Sequence, residues 1–426
     1  MTILVFIASL LAAMAIGMPI AYALILCGVA LMVQLDVFDA QILTQNVVSG
    51  TDSFTLLAVP FFMLAGEVMN AGGLSKRIVN LALALCGHVR GGLGYVAIIA
   101  ACILSALSGS AAADAAALGA LLVPMMVRAG HDKARSVGLV ASASIIGPII
   151  PPSIAFILLG VTTNLSISKL FMAGIAPGLM IGLALAVAWW IVVRGEDIER
   201  RPRASRAERL RALRESLWAL GLPVIIIFGL KFGLFTPTEA AVVAATYALF
   251  VSIVIYRELR PAELYAVFVN AAKVTSVVIF MVAAALVSAW LITIADLPGQ
   301  VVQLLEPFMD SPKLLMLMIM LLIVVVGTAM DMAPTILILG PVLVPVVQAA
   351  GIDPIYFGVL FIINNSIGLI TPPVGTVLNV TAGVTGTSMA TVIRGVTPFM
   401  LAQLIILGLM ILFPGLVTVP AAWFSR

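Results

Sequence analysis

The chain has 426 residues, 63% hydrophobic and 10% charged, with a mean hydropathy of +1.23. Soluble domains average about 45 to 50% apolar and about 25% charged, so no water-soluble core could hide this much apolar surface. A net charge of +3 with no Lys/Arg tract interleaved with aromatics excludes a nucleic-acid binder, and Cys27, Cys86, Cys102, His88 and His131 offer neither a disulfide framework nor transition-metal spacing.

Aromatic residues make up 7% while Gly (35) and Pro (23) are plentiful, which implies an all-α polytopic membrane protein with interrupted helices rather than an outer-membrane barrel. At about 20 residues per crossing, apolar segments fall near 2–33, 54–70, 78–100, 101–128, 136–160, 170–193, 217–235, 237–256, 264–295, 313–330, 332–350, 355–382 and 395–420. The first segment has no basic leader or small-residue cleavage site and exceeds a signal core, so it is expected as a retained first span. Residues 1 to 75 hold no Lys or Arg but do hold Asp36, Asp39, Asp52 and Glu67, which places the loop from Asp36 to Asp52 outside. Glu67 is expected at an interface or in a structural ion pair rather than against a partner subunit.

Between Trp190 and Trp218, the stretch 194–215 carries 13 of the 41 charged residues, with eight Arg against five acids. The positive-inside rule puts it in the cytoplasm, as a solvated linker more than a contact for anionic lipid. It divides the chain into a first half, 1–193, and a second half, 216–426. The segment 264–295 is long for one span and interrupted near Lys273, whose side chain is expected to snorkel to an interface.

Sliding the chain by 221 positions lays the first half on the second without a gap. The matches are Gly119/Gly340, Pro124/Pro345, Gly130/Gly351, Asp132/Asp353, Gly147/Gly368, Pro151/Pro372, Pro152/Pro373, Gly174/Gly395 and Pro177/Pro398. Recurrence of helix punctuation over such a length indicates two halves of one plan, related as inverted repeats if the intervening spans each cross once. Each repeat holds a hairpin with a polar tip, at 108–114 and at 327–335, and a helix broken by Pro-Pro, at 136–160 and at 355–382. Leu314 to Thr328 is about 22 Å of helix, short of a hydrocarbon core of about 30 Å, so a re-entrant hairpin is expected. Its tip then needs protein or a water-filled cavity to satisfy its backbone.

Asp114 and Asp331 each cost roughly 2.5 to 3.5 kcal/mol at membrane depth. Ser110 aligns with Asp331 and Asp114 with Thr335, so each tip keeps one hydroxyl and one carboxylate in exchanged order. Helix capping is the competing account for Ser110 and Asp331, and explains Asp114 less well. A hard monovalent cation suits a few hydroxyl and carbonyl oxygens with one carboxylate. In the broken helices, Pro151 and Pro152 are expected to free the carbonyls of Gly147 and Pro148, and Pro372 and Pro373 those of Gly368 and Leu369. Ser142, Ser144 and Ser153 lie near the first break, against Asn364, Asn365, Ser366, Thr371, Gly375 and Thr376 near the second. Helix N-termini at the tips suit an anionic substrate.

The segments SGSAAADAAALGALLVPMM, IIGPIIPPS and NNSIGLITPPVGTVLNV, with PFFMLAGEVMNAGGLSKRIVNLA at 60–82, resemble the large membrane subunit of tripartite ATP-independent periplasmic (TRAP) transporters. The resemblance covers nearly the whole chain. It implies an elevator-type secondary transporter of the bacterial inner membrane, coupled to sodium and without any other cofactor. Its expected partners are a small four-helix membrane subunit, here a separate chain, and a periplasmic binding protein that delivers an organic acid.

On this reading Ser108, Gly109, Ser110, Asp114, Gly147, Gly327, Thr328, Asp331, Thr335, Asn365, Gly368 and Gly375 would hold sodium. Ser110, Pro151, Pro152, Ser153, Asn365, Thr371, Pro372, Pro373 and Thr376 would meet substrate. Competing readings are an ion-coupled anion carrier without a binding protein, a channel built from the re-entrant loops, and an intramembrane aspartyl protease. The protease reading lacks the Tyr-Asp and Gly-x-Gly-Asp signatures around the two aspartates. An ATP-driven pump lacks a phosphate-binding loop in this chain.

Overall fold

A computed structural model describes residues 2–195, 202–309 and 311–424; positions 196–201 of the expected linker, including Arg200 and Arg201, lie outside the described residues. Twenty α-helices and no strand occur among the described residues, and nine helical stretches among them are long and apolar enough to cross a membrane.

The expected first span divides into α1 (Thr2–Ala15) and α2 (Ile20–Gln34). The break has a local cause, since Gly17 takes a φ of 80°, open to glycine without cost, and Pro19 cannot continue the ladder. The expected outer loop contains a helix, α3 (Ala40–Thr51), capped by Asp39, whose Oδ1 accepts the N–H of Gln41 at 2.7 Å. There follow α4 (Ala58–Ala71), α5 (Leu74–Cys86), the first hairpin α6 (Gly92–Ser108) and α7 (Ala111–Arg128), then α8 (Lys133–Ser144), α9 (Ile154–Thr163) and α10 (Ile167–Val193).

The second half of the Arg-rich linker is helical, because Ser205 and Glu208 form a capping box that starts α11 (Arg206–Lys231). After α12 (Pro237–Phe250) comes α13 (Pro261–Ile294), which runs 34 residues without a break at Lys273. At about 51 Å it exceeds a hydrocarbon core. The last helices are α14 (Leu297–Met309), the second hairpin α15 (Pro312–Ala329) and α16 (Met332–Ala349), then α17 (Pro354–Gly368), α18 (Thr376–Thr385), α19 (Met389–Leu412) and α20 (Gly415–Phe424). The arm α15 is three residues longer than expected, because Pro312 and Lys313 open its first turn and Ala329 extends its last.

Both broken helices form as expected, with non-helical segments joining α8 to α9 and α17 to α18 around cis Pro151-Pro152 and Pro372-Pro373 bonds. The hairpins and breaks pack crosswise. Arm α7 lies on α18, and arm α16 lies on α9. The second approach is the tighter one: a Cβ at Gly340 would stand 3.2 Å from Leu159 and 3.3 Å from Thr163, whereas one at the aligned Gly119 would stand 3.7 Å from Thr385, an ordinary contact. The four elements therefore share one buried core, in which α8 and α17 are sheathed almost completely.

Candidate substrate and cation site

A cavity of about 500 Å³ opens where the two tips and two breaks meet. Gly109, Ser110, Asp331 and Met332 line it from the tips, and Pro148, Leu369 and Thr376 from the breaks. Four helices begin on its wall: α7 with Ala111, α9 with Ile154, α16 with Met332 and α18 with Thr376. Each helix N-terminus carries roughly half a positive charge on unpaired N–H groups. The cavity is thus electropositive at four points before any side chain is counted. Lys273 of α13 adds a full positive charge that the Asp331 carboxylate on the same wall offsets, so the helix N-termini set the sign, and Lys273 stands at this cavity, not merely at a membrane interface. The sign of its surroundings could be found in the sequence only as a lone Lys in a long apolar span.

The first tip folds around its own carboxylate. Gly109 turns the chain with a φ of 60°, and the Ser110 hydroxyl accepts the Ala113 N–H at 3.4 Å as a helix cap. Ser108 accepts the N–H of Ser110 and donates to Asp114 Oδ1 at 2.6 Å. Asp114 is 3% exposed, and its Oδ2 has no hydrogen-bond partner. Oδ2 faces Gly147, where a Cβ would stand 2.8 Å from it and 3.1 Å from the Ser144 carbonyl oxygen. A buried carboxylate oxygen without a donor is costly. A small cation between it and neighbouring carbonyls would remove that cost, so the residues fit a sodium ion.

The second tip is arranged differently. Asp331 precedes α16 but makes no side-chain cap; it is exposed to the cavity, and its Oδ1 accepts the Thr376 hydroxyl at 3.1 Å. The capping account of Asp331 is therefore set aside in favour of a tie between tip and break. Thr335 is fully buried and donates to the Asp331 carbonyl at 2.9 Å. Two buried acceptors here have no donor, Asn364 Oδ1 and Asn365 Oδ1; the Asn365 amide donates to the Met332 carbonyl at 3.2 Å, beside the tip. A Cβ at Gly327 would stand 3.0 Å from Asn365 Oδ1. Gly368 lies so close that its Cβ would be 2.9 Å from the Gly327 backbone, which only a glycine pair permits.

Several expected ligands have other partners. The Ser153 hydroxyl donates to the Pro148 carbonyl and caps α9. Val377 N–H donates to the Leu369 carbonyl, and Thr371 N–H to that of Gly368. Three of the four carbonyls expected to be free are thus paired locally, as buried backbone oxygens generally are; only Gly147 keeps the expected freedom among the four. Thr371 donates back to the Ile367 carbonyl in the last turn of α17 and lies against Met400 Sδ, apart from the cavity wall. Thr328 likewise bonds back to Val325. Gly375 serves the turn, with a φ of 47°. Pro151 and Pro152 are buried behind the wall, whereas Pro373 is exposed. Glu67 is half-buried on α4 and forms no ion pair among the described residues. No cluster of three His, Cys, Asp or Glu occurs among the described residues.

The chain matches the family model described as tripartite ATP-independent periplasmic transporter, DctM component, over residues 7–416. It is 57% identical over 425 residues, all of both chains, to the 2,3-diketo-L-gulonate TRAP transporter large permease protein of Escherichia coli. It is 40% identical over 398 residues, 93% of each chain, to the sialic acid TRAP transporter large permease protein of Vibrio cholerae. Against the C4-dicarboxylate TRAP transporter large permease protein of Pseudomonas aeruginosa it is 38% identical over 375 residues, 88% of each chain. A crystal structure of the Alcanivorax borkumensis YdaH transporter has the same fold at a TM-score of 0.65, with 16% identity and 91% of each chain covered.

Proposed function

Because the chain belongs to the DctM family of tripartite ATP-independent periplasmic transporters, we propose that it drives sodium-coupled uptake of an organic acid across the bacterial inner membrane. The observation that carries this reading is the convergence of four helix N-termini on one cavity between the tips, where the Lys273 and Asp331 charges offset each other. Such a wall attracts a carboxylate. The relatives are named for 2,3-diketo-L-gulonate, sialic acid and C4-dicarboxylates, all anionic at neutral pH.

Sodium is assigned to two places outside the cavity's open space. The first lies between Asp114 Oδ2, Gly147 and the Ser144 carbonyl, the second at Asn365 Oδ1 between Gly327 and Gly368. At the first, the ion would balance the charge of Asp114. At both it would pin a tip against a break, so that the substrate cavity is complete only when the ions are bound. Coupling follows from that shared geometry: losing the ion loosens the same tip that carries Ser110 or Asp331 to the substrate.

The crosswise packing of tips and breaks supports their movement as one body against the remaining helices, the elevator form of alternating access. Corresponding contacts at Gly119 and Gly340 support the internal repeat. The linker side is taken as cytoplasmic from its arginines, and the halves on either side of 194–215 are proposed as the two units of the repeat. A small membrane subunit and a periplasmic binding protein are proposed as the other two components.

The test is transport by proteoliposomes holding this chain with its small subunit and binding protein. Substrate should accumulate when sodium is placed outside, and more so with an inward-negative potential, which adds about 2.3 kcal/mol per charge per 100 mV. Equal uptake from potassium buffer under a proton gradient alone would overturn the sodium assignment.

A further inference from the structure

A second cavity, of about 800 Å³, lies at the far ends of the same body, between the start of α8, the end of α10 and the first turns of α19. His131, Arg135 and Arg394 line it. Arg394 is exposed and its side chain makes no hydrogen bond or ion pair among the described residues. Asp132, the acid on this wall, is turned to the N-terminus of α8, where Oδ1 accepts the Arg135 N–H at 2.9 Å. Arg135 in turn donates to the Val192 carbonyl at 3.4 Å and His131 is buried, so Arg394 is the group that presents its charge outward here, while the carboxylate is engaged.

Val192 and Pro398 at its floor also begin an apolar groove of about 510 Å³, which runs between antiparallel α10 and α19 to Met180 and Ile406. Its walls are large apolar side chains left uncovered, including Leu183 at 67%, Ile191 at 59% and Ile405 at 63% exposure. From Met180 to Val192 the groove follows about 18 Å of helix, close to half of a hydrocarbon core of about 30 Å. Its cationic end also carries the marks of a headgroup level: Trp190 is half exposed, and the Arg194 guanidinium lies 3.3 Å over its ring. Arg194 opens the Arg-rich linker, so this end faces the leaflet on the linker side.

We propose that the groove and the cavity together bind one anionic phospholipid, with an acyl chain between α10 and α19 and its phosphate at Arg394. An apolar slot one leaflet long that ends at the exposed Arg394 charge matches a lipid of that leaflet in both length and sign. A partner helix would need to cross the whole membrane and would leave Arg394 without a counter-charge. The site is separate from the substrate cavity, but α8 leads from its wall directly into the first break, so an occupant steadies the body that carries the tips.

The test is native mass spectrometry of this chain in complex with its small membrane subunit. The complex is stripped of lipid and titrated with phosphatidylglycerol, with phosphatidylcholine of the same acyl chains, and with glycerol phosphate. Phosphatidylglycerol should bind about fivefold more tightly than phosphatidylcholine, and Arg394→Gln should remove about that factor, the worth of one cationic side chain at a membrane surface. Leu401→Trp, a change at an exposed groove position, should weaken both lipids, and glycerol phosphate alone should not be retained. Equal binding of the two lipids, insensitive to Arg394→Gln, would overturn the proposal. So would retention of glycerol phosphate as strong as that of the lipid, or loss of the small subunit from the Leu401→Trp complex, which would make the groove a seat for that subunit. Both variants should keep the thermal unfolding temperature of the unaltered complex, so that lost binding is not lost folding.

Discussion

The two hairpin tips occupy corresponding places in the chain and solve the same problem with different atoms. In the first, the tip supplies the buried oxygen itself, Asp114 Oδ2, and the break opposite offers only a glycine and a backbone carbonyl. In the second, the break supplies it, as Asn365 Oδ1, and the tip offers the glycine. The residues that align with these two, Thr335 and Ser144, are spent on their own helices, bonding to Asp331 and Val140. A donor-free oxygen at the junction of tip and break is kept, while the chain position that bears it is exchanged. If these junctions hold the proposed cations, each site is specified by where oxygen sits, and aligned segments keep that place without keeping the residue.

The charges of the two tips differ as well. Asp114 is sealed from solvent, whereas Asp331 stands on the cavity wall tied to Thr376. A sealed carboxylate has no water to replace a lost ion, so the first site should be the more demanding of the two. The largest effect is therefore expected from Asp114→Ala. Sodium-driven uptake should fall by more than the ~10–100-fold that even outer-shell losses cost a metal site, with normal amounts of folded protein in the membrane. Uptake within a few-fold of the unaltered protein would remove Asp114 from the cation pathway and break the comparison at its strongest point.

Next is Asn365→Ala, which should raise the sodium concentration for half-maximal uptake by about tenfold, the worth of one hydrogen bond or ligand to a charged group. Asn365→Asp should restore or tighten sodium dependence, because it places in the second half the carboxylate that the first half already has. If Asn365→Asp behaves like Asn365→Ala, the two junctions are not equivalent.

The glycines opposite these oxygens separate packing from ion binding. A methyl at Gly368 would meet the Gly327 backbone, which cannot yield, so Gly368→Ala should lower stability by about 1–3 kcal/mol in a thermal unfolding assay. At Gly147 the obstacle is the Asp114 carboxylate, at 2.8 Å. Gly147→Ala should displace that side chain and change sodium dependence with a smaller change in unfolding temperature. The reverse pattern would show that the first junction is held by backbone contact and the second by its side chains.

The smallest effects are expected where the second tip is tied to its break. Asp331→Ser removes a charge that water can reach, and Thr376→Val removes one hydroxyl bond worth about 0.5–1.5 kcal/mol. Each should change the substrate concentration for half-maximal uptake by about threefold, with sodium dependence nearly unaltered. A sodium shift in Asp331→Ser larger than that of Asn365→Ala would move the second site from the break to the tip.

Much of this architecture was legible in the sequence because its causes are local. Hydropathy places helices in a membrane, and Pro-Pro stops a helix wherever it stands, so the two breaks and both tips fall within a few residues of expectation. The split of the first span was equally local, at Gly17 and Pro19, and was obscured by an apolar run that continues through both. Helices α3 and α14 were missed for the opposite reason, since neither shows the long apolar run that a membrane search rewards. Lys273 interrupts a hydropathy profile but not a helix, because one long side chain on a helix can reach the cavity while the backbone stays bonded.

The sequence by itself determined the class of the protein, the places of its helix breaks, and the chemistry available at each tip. Tertiary structure alone decided which of those groups are left over. Whether Asp331 caps its helix or holds Thr376, 45 residues away, depends on how a tip meets a break. Whether a Pro-freed carbonyl stays free depends on Ser153 or Val377 folding back upon it. Composition and periodicity count donors and acceptors along the chain, but pairing is settled in space. An ion site is the remainder after that pairing is complete.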